Sequence, residues 1–154
     1  MTTQKVEEKV VYESVAPEKT VVLWVSRHPP LLAQLIQLEQ KLGGIKVIQL
    51  SGIIPSAEFV IQKAKEYGAR VIVPVLPLSF IARLCELAQK EGITLLYAQM
   101  ECIAVLKDMQ DAQRKVQEAP ERRNIATYSD GTVRVFEFKG FKRIKRVVLE
   151  LEDW

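Results

Sequence analysis

The chain reads as an α/β domain with a three-layer arrangement and a mainly parallel sheet, followed by an antiparallel β meander. Three observations predict this. Short apolar, β-branched runs recur along the chain, the mark of strands buried on both faces. Segments with apolar residues at helical spacing lie between them, so strand and helix alternate roughly every 25 residues, the pattern of parallel strands joined by right-handed crossovers. Beyond Ile125 the pattern becomes short alternating runs about an Asp130-Gly131 turn signal.

The elements are read in chain order. Residues 1–19 form an extension, either mobile or carrying a short strand at Val10–Val15. Val21 to Val25 is the first core strand. Pro29 and Pro30 suit a first helical turn, and Leu31, Leu35, Leu38 and Leu42 share one helical face that Gly43-Gly44 ends. Ile45 to Leu50 is the second core strand. Ser56 caps a helix carrying Val60, Ala64 and Tyr67, stopped by Gly68. Val71 to Leu76 is the third, in which Pro74 removes a ladder donor and implies a bulge or an unpaired side. Phe80, Leu84, Leu87 and Ala88 mark the next helix, and Ile93 to Ala98 the fourth strand. Val105, Met109, Ala112 and Val116 predict a further helix ending by Pro120. Ile125–Tyr128 and Val133–Phe138 form a hairpin, and Lys139-Gly140 turns into a last strand over Lys142–Leu151. Core strand order is 2-1-3-4 or 3-2-1-4; the first is favoured because it sets the ends of the first and third strands side by side.

A chain of 154 residues with 48% hydrophobic and 27% charged residues buries a sizeable core without a metal or disulfide staple. The longest uncharged stretch, Val71 to Ala82, is too short to span a membrane, and the start MTTQKVEEKV fits neither a signal nor a transit peptide. Two cysteines, Cys85 and Cys102, do not make a disulfide framework and agree with a reducing cytoplasm. The formal charge is only +3, but Arg134 to Arg146 holds six basic residues against Glu137 alone. Arg134, Lys142, Arg143, Lys145 and Arg146, interleaved with Phe136, Phe138 and Phe141, fit a nucleic-acid backbone and its bases; a solvated strand surface is the commoner meaning of such a run.

In open α/β sheets ligands bind beyond the carboxyl ends of the strands. Those ends carry Ser26, Arg27 and His28, then Ser51, then Pro77 and Ser79, then Gln99 and Glu101. Arg and helix N-termini favour phosphate, and His28 moves protons near neutral pH. Each residue also has an ordinary role: serines cap helices, a lone His before two prolines shapes a loop, and Glu101 favours a helix start. No dinucleotide fingerprint, phosphate-binding Gly-Lys loop, zinc spacing or nucleophile elbow occurs. No metal or other cofactor is expected.

Val25-Ser26-Arg27-His28-Pro29, closing the first strand, resembles the Ser-Arg-His-Pro stretch of small CRISPR-associated Rossmann-like proteins, and Val71 to Ala82 resembles their Leu-Pro strand end. The likeness covers roughly residues 20 to 100; the basic meander, Pro30 and the long first helix depart from it. It implies a Rossmann-like core over residues 20–120. The basic meander over 121–154, outside the likeness, is expected to pack on the core or at a homodimer interface, since a ligand with rotational symmetry suits a two-fold dimer, with Phe136, Phe138, Phe141 and Trp154 contributing to the interface. It implies a ring nuclease that binds and cleaves cyclic oligoadenylate, the messenger of type III CRISPR defence. Arg27 and His28 would then be catalytic, and Ser26, Ser51, Pro77, Ser79, Gln99 and Glu101 would bind ligand. A cyclic-oligonucleotide sensor without catalysis and a nucleic-acid-binding protein are the alternatives.

Overall fold

The computed structural model of the chain describes residues 5–154. In chain order the elements are β1 (Glu7–Glu13), β2 (Thr20–Val25), α1 (Leu32–Leu42), β3 (Ile45–Ser51), α2 (Ala57–Tyr67) and β4 (Val71–Pro74). Then come α3 (Leu78–Lys90), β5 (Thr94–Leu106), α4 (Met109–Gln117), β6 (Arg123–Thr127) and β7 (Val133–Arg143). Two compact units result, one of residues 1–29, 42–97 and 143–154, the other of residues 30–41 and 98–142. Residues 1–4, the start of the stretch read as an extension, lie outside the described residues; β1 occupies much of the rest of that stretch. No helix among the described residues is long and apolar enough to cross a membrane.

The expected mainly parallel, three-layer Rossmann-like sheet is not what forms. Among the described residues seven strands hydrogen-bond in the order β1-β3-β2-β4-β5-β7-β6, and the sheet is mixed. β2 pairs in parallel with β3 and β4, and β4 with β5. β1 runs antiparallel to β3, with a bulge between Val10 and Tyr12, and β6 runs antiparallel to β7. The parallel part keeps the order 2-1-3-4 for the core strands, but it is limited by Pro74. Val75 donates its N–H to the Val25 carbonyl (2.9 Å). Because successive residues bond to opposite neighbours, the donor that Pro74 lacks faces β5, and the β4–β5 ladder stops at Ile72–Leu95.

In the first unit α2 and α3 pack together on one sheet face. Leu23 and Val25 of β2, Ile48 and Leu50 of β3, and Ile72 of β4 meet Val60, Ala64 and Leu84, all 2% exposed or less. Ser56 accepts the Phe59 N–H (3.1 Å) as the cap of α2, and Gly68 ends it in the left-handed region (φ 68°). Gly44 is required by close approach: a Cβ there would lie 2.5 Å from the Glu18 carbonyl oxygen.

The second unit corrects two boundaries. The fourth core strand does not end at Ala98; β5 runs on to Leu106. Val105 therefore belongs to a strand, because the helix starts only where Asp108 accepts the Gln110 N–H (2.9 Å) as cap of α4. The meander reduces to a hairpin. Asp130 accepts from the Thr132 N–H (2.9 Å) and hydroxyl (2.6 Å) at the turn, and Arg123 Nε donates to Glu137 across the strands (2.9 Å). β7 then passes straight through Gly140 to Arg143, and no strand forms over 144–154. Ala112, Val133 and Val135 are the core of this unit.

Candidate functional site

The strands themselves explain the shape of the loops at their carboxyl ends. β2 is buried along Val22–Val25, so its backbone direction is fixed up to Ser26. Ser26 is then held at every polar group. Its N–H donates to the Leu50 carbonyl (3.1 Å), its carbonyl accepts from the Gln49 side-chain amide (2.8 Å), and its Oγ accepts the His28 N–H (3.1 Å). Trp24 completes the bracing by donating its indole N–H to the His28 carbonyl (2.9 Å). The turn Ser26–His28 is therefore rigid in its main chain, while the Arg27 and His28 side chains are exposed.

Beside this turn lies a cleft of about 470 Å³, within the usual size of small-ligand sites. Three loops wall it: Ser26-Arg27 after β2, Ser51–Ile54 after β3, and Val75–Pro77 after β4. All three stand at carboxyl ends of adjacent parallel strands, on either side of the point where the connections change direction, β2 to β3 one way and β3 to β4 the other. Gly52 permits the second loop: its φ is +104°, and the Lys5 carbonyl would stand 3.0 Å from an added Cβ. Pro77 begins α3 without a side-chain cap bond; the Phe80 N–H is taken by the Pro77 carbonyl (3.0 Å), which leaves the Leu78 and Ser79 N–H groups without a bond among the described residues, though neither residue lines the cleft.

Charge in the cleft comes from Arg27. Among the described residues Arg27 makes no ion pair or hydrogen bond through its guanidinium. Arg83 and Arg123, by contrast, are neutralised, Arg83 by Glu58 (2.8 Å) and Glu86 (3.1 Å), and Arg123 by Glu137 (2.9 Å) and Glu118 (3.0 Å). Arg70, Arg143 and Arg146, like Arg27, make no ion pair among the described residues. An unpaired guanidinium in a cleft that also carries the Ser26 and Ser51 residues is an anion site in outline. No three His, Cys, Asp or Glu side chains gather as metal ligands would, among the described residues.

The structure thus brings Ser26, Arg27, Ser51 and Pro77 to one cleft. His28 adjoins it along the chain but does not line it, and Ser79 is an exposed residue of the first turn of α3. Gln99 and Glu101 lie in the interior of β5, in the second unit, where Glu101 pairs with Lys139 (3.8 Å). Arg134 stacks on Tyr128 (4.0 Å to the ring centre) and pairs with Asp130 (3.6 Å), whereas Lys142, Arg143, Lys145 and Arg146 are exposed. Phe138 is buried edge-on against Phe141 (5.0 Å), and Trp154 is fully exposed.

Trp24 and Gln49 are the parts that residue-by-residue reading passed over. Their signal was present: a polar Gln in the apolar run Ile45–Leu50, one residue from the strand end. Comparison of the chain with protein-family models, with curated proteins and with solved structures finds no match.

Proposed function

We propose that the cleft at the ends of β2, β3 and β4 binds a phosphodiester of cyclic oligoadenylate and promotes its cleavage by the ligand's own 2′-hydroxyl. The observation that carries this reading is Arg27, a guanidinium without a partner among the described residues, on a main chain braced by Ser26, Gln49 and Trp24. In the reaction the 2′-oxygen attacks the adjacent phosphorus and the bond to the 5′-oxygen breaks. A 2′,3′-cyclic phosphate and a 5′-hydroxyl result. One proton leaves the 2′-hydroxyl and one reaches the 5′-oxygen. Arg27 stabilises the charge on phosphate, the cleft holds the attacking oxygen in line, and His28 transfers a proton. The likeness of Ser26–Pro29 and Val71–Ala82 to ring nucleases selects this ligand among phosphodiesters.

A binding-only sensor is the second reading, favoured by one observation: His28 does not line the cleft. Incubation with cyclic tetra- and hexa-adenylate in EDTA, followed by chromatography, separates the two. Linear products carrying cyclic phosphate ends support cleavage, and intact ligand retained by the protein supports sensing. Absence of both cleavage and retention overturns the proposal.

A further inference from the structure

Residues 144–154 are where sequence pattern and fold disagree. Val147 to Glu152 alternates as a strand does, yet no strand forms there. The segment is fastened at its beginning. Ile144 donates its N–H to the Leu95 carbonyl (2.9 Å), and the Lys145 carbonyl accepts from the Gln89 amide (2.5 Å) and the Cys85 thiol (3.3 Å). From Arg146 to Trp154 no hydrogen bond or ion pair reaches another described residue. Val148, Leu149, Leu151 and Trp154 are 63%, 79%, 84% and 119% exposed. An apolar segment whose N–H and C=O groups bond to no other described residue is a template for another strand.

The order of its residues says which strand. Basic residues open the segment (Lys145, Arg146), apolar ones fill its centre (Val147, Val148, Leu149, Leu151), and acidic ones close it (Glu150, Glu152, Asp153). Reversed against itself about Leu149, it places Lys145 opposite Asp153, Arg146 opposite Glu152, Val147 opposite Leu151 and Leu149 opposite its own copy. Side chains alternate between faces, so Val147, Leu149 and Leu151 make one continuous apolar stripe ended by Lys145–Asp153 pairs. The other face carries Arg146–Glu152 pairs, with Val148 opposite Glu150 as the one mismatch.

We propose that two copies of this chain associate through residues 144–154, paired as antiparallel strands about a two-fold axis at Leu149. Such an interface is isologous: each copy supplies both members of every pair. Charge complementarity and the apolar stripe select a second copy over an unrelated partner. A two-stranded ribbon is marginal by itself, so the dimer is weak, with a dissociation constant on the order of tens of micromolar.

Charge swapping tests it. Sedimentation velocity at low salt should show wild-type chain passing from monomer to dimer between micromolar and near-millimolar concentration. The double variants E152K/D153K and K145E/R146E each set like charges opposite one another, and each should weaken association at least about tenfold. An equimolar mixture of the two restores every pair and should dimerise at least as tightly as wild type. In a Cys102→Ser background, Leu149→Cys should form an oxidised dimer. Leu151→Cys, which faces position 147 and stands from its own copy well beyond the roughly 7 Å limit for a disulfide, should not. Unchanged melting temperatures show that the fold is intact, since the side chains substituted within residues 145–153 are exposed and make no hydrogen bond or ion pair to another described residue. A wild-type chain that stays monomeric, a dimer indifferent to either charge reversal, a mixture that fails to associate, or equal cross-linking at 149 and 151 overturns the proposal.

Discussion

Gln49 donates its side-chain amide to the Ser26 carbonyl across 2.8 Å, so the turn that carries Arg27 hangs on a side chain of the neighbouring strand. Gln49 is 2% exposed, and its Oε1 has no partner among the described residues. A strand with β-branched neighbours keeps this amide in place of an apolar residue, although leaving its oxygen unpaired opposes folding. Gln49→Leu removes both the bond and the unpaired oxygen, which act in opposite directions. Its stability should therefore change by no more than about 1 kcal/mol in urea titration, while binding of cyclic oligoadenylate should fall severalfold, because the turn is no longer held. A variant that binds like wild type shows that Gln49 does not position Arg27.

Arg27→Ala should weaken ligand binding by about tenfold to a hundredfold, the worth of one charge-assisted phosphate contact. His28→Ala should bind nearly normally and slow single-turnover cleavage by roughly a hundredfold if the imidazole transfers a proton. Lys90→Ala, on the last turn of α3 and outside the cleft, should leave both unchanged. Isothermal titration and quenched-flow rates in EDTA read the three together.

Gly52→Ala should destabilise the fold by about 1–3 kcal/mol, since φ is +104° and the added methyl would crowd the Lys5 carbonyl oxygen at 3.0 Å. The second loop should shift with it, so ligand affinity should fall beyond what partial unfolding explains. Chemical denaturation beside a binding isotherm separates the two effects.

Acid should unfold the protein in part through Glu137. The Lys139 ammonium and then the Arg123 guanidinium hold its carboxyl below the ordinary glutamate value of 4.5. In that range the unfolded chain binds more protons than the folded one, so stability rises with pH. This contribution is complete above the unfolded value and is lost as pH falls through the lower folded one. Glu8, lowered first by the Tyr67 hydroxyl and then by Lys63, acts in the same sense. Urea midpoints at pH 7, 5 and 3 should fall less steeply for Glu137→Gln than for wild type. An equal slope removes Glu137 from the acid response.

Ser56→Ala should cost about 1 kcal/mol, because it leaves the Phe59 N–H at the start of α2 without its acceptor. Ser79→Ala, exposed in the first turn of α3 and bonded to no cap, should be neutral within about 0.5 kcal/mol. Thermal melts of the pair check the assignment of the caps.

Local chemistry was legible in the chain itself. Runs such as Val21–Val25 and Ile45–Leu50 announce buried strands, Ser56 and Gly68 bound a helix, and Asp130-Gly131 makes a hairpin turn. These come from side-chain burial, capping and positive φ, which act within a few residues. The loops after β2, β3 and β4 could be placed at one edge because parallel strands put their carboxyl ends together. Pairing beyond neighbours was decided only by the tertiary structure. That β1 closes on β3 antiparallel, that Pro74 cuts short the β4–β5 ladder, and that β5 runs on to Leu106 all depend on which free N–H and C=O groups find partners at a distance. For the same reason Gln99 and Glu101 lie within a strand rather than at its end, and Val147–Leu151, with a strand's alternation, carries no strand in the single chain. Alternation states that a segment can pair, and only a partner edge within reach makes it do so.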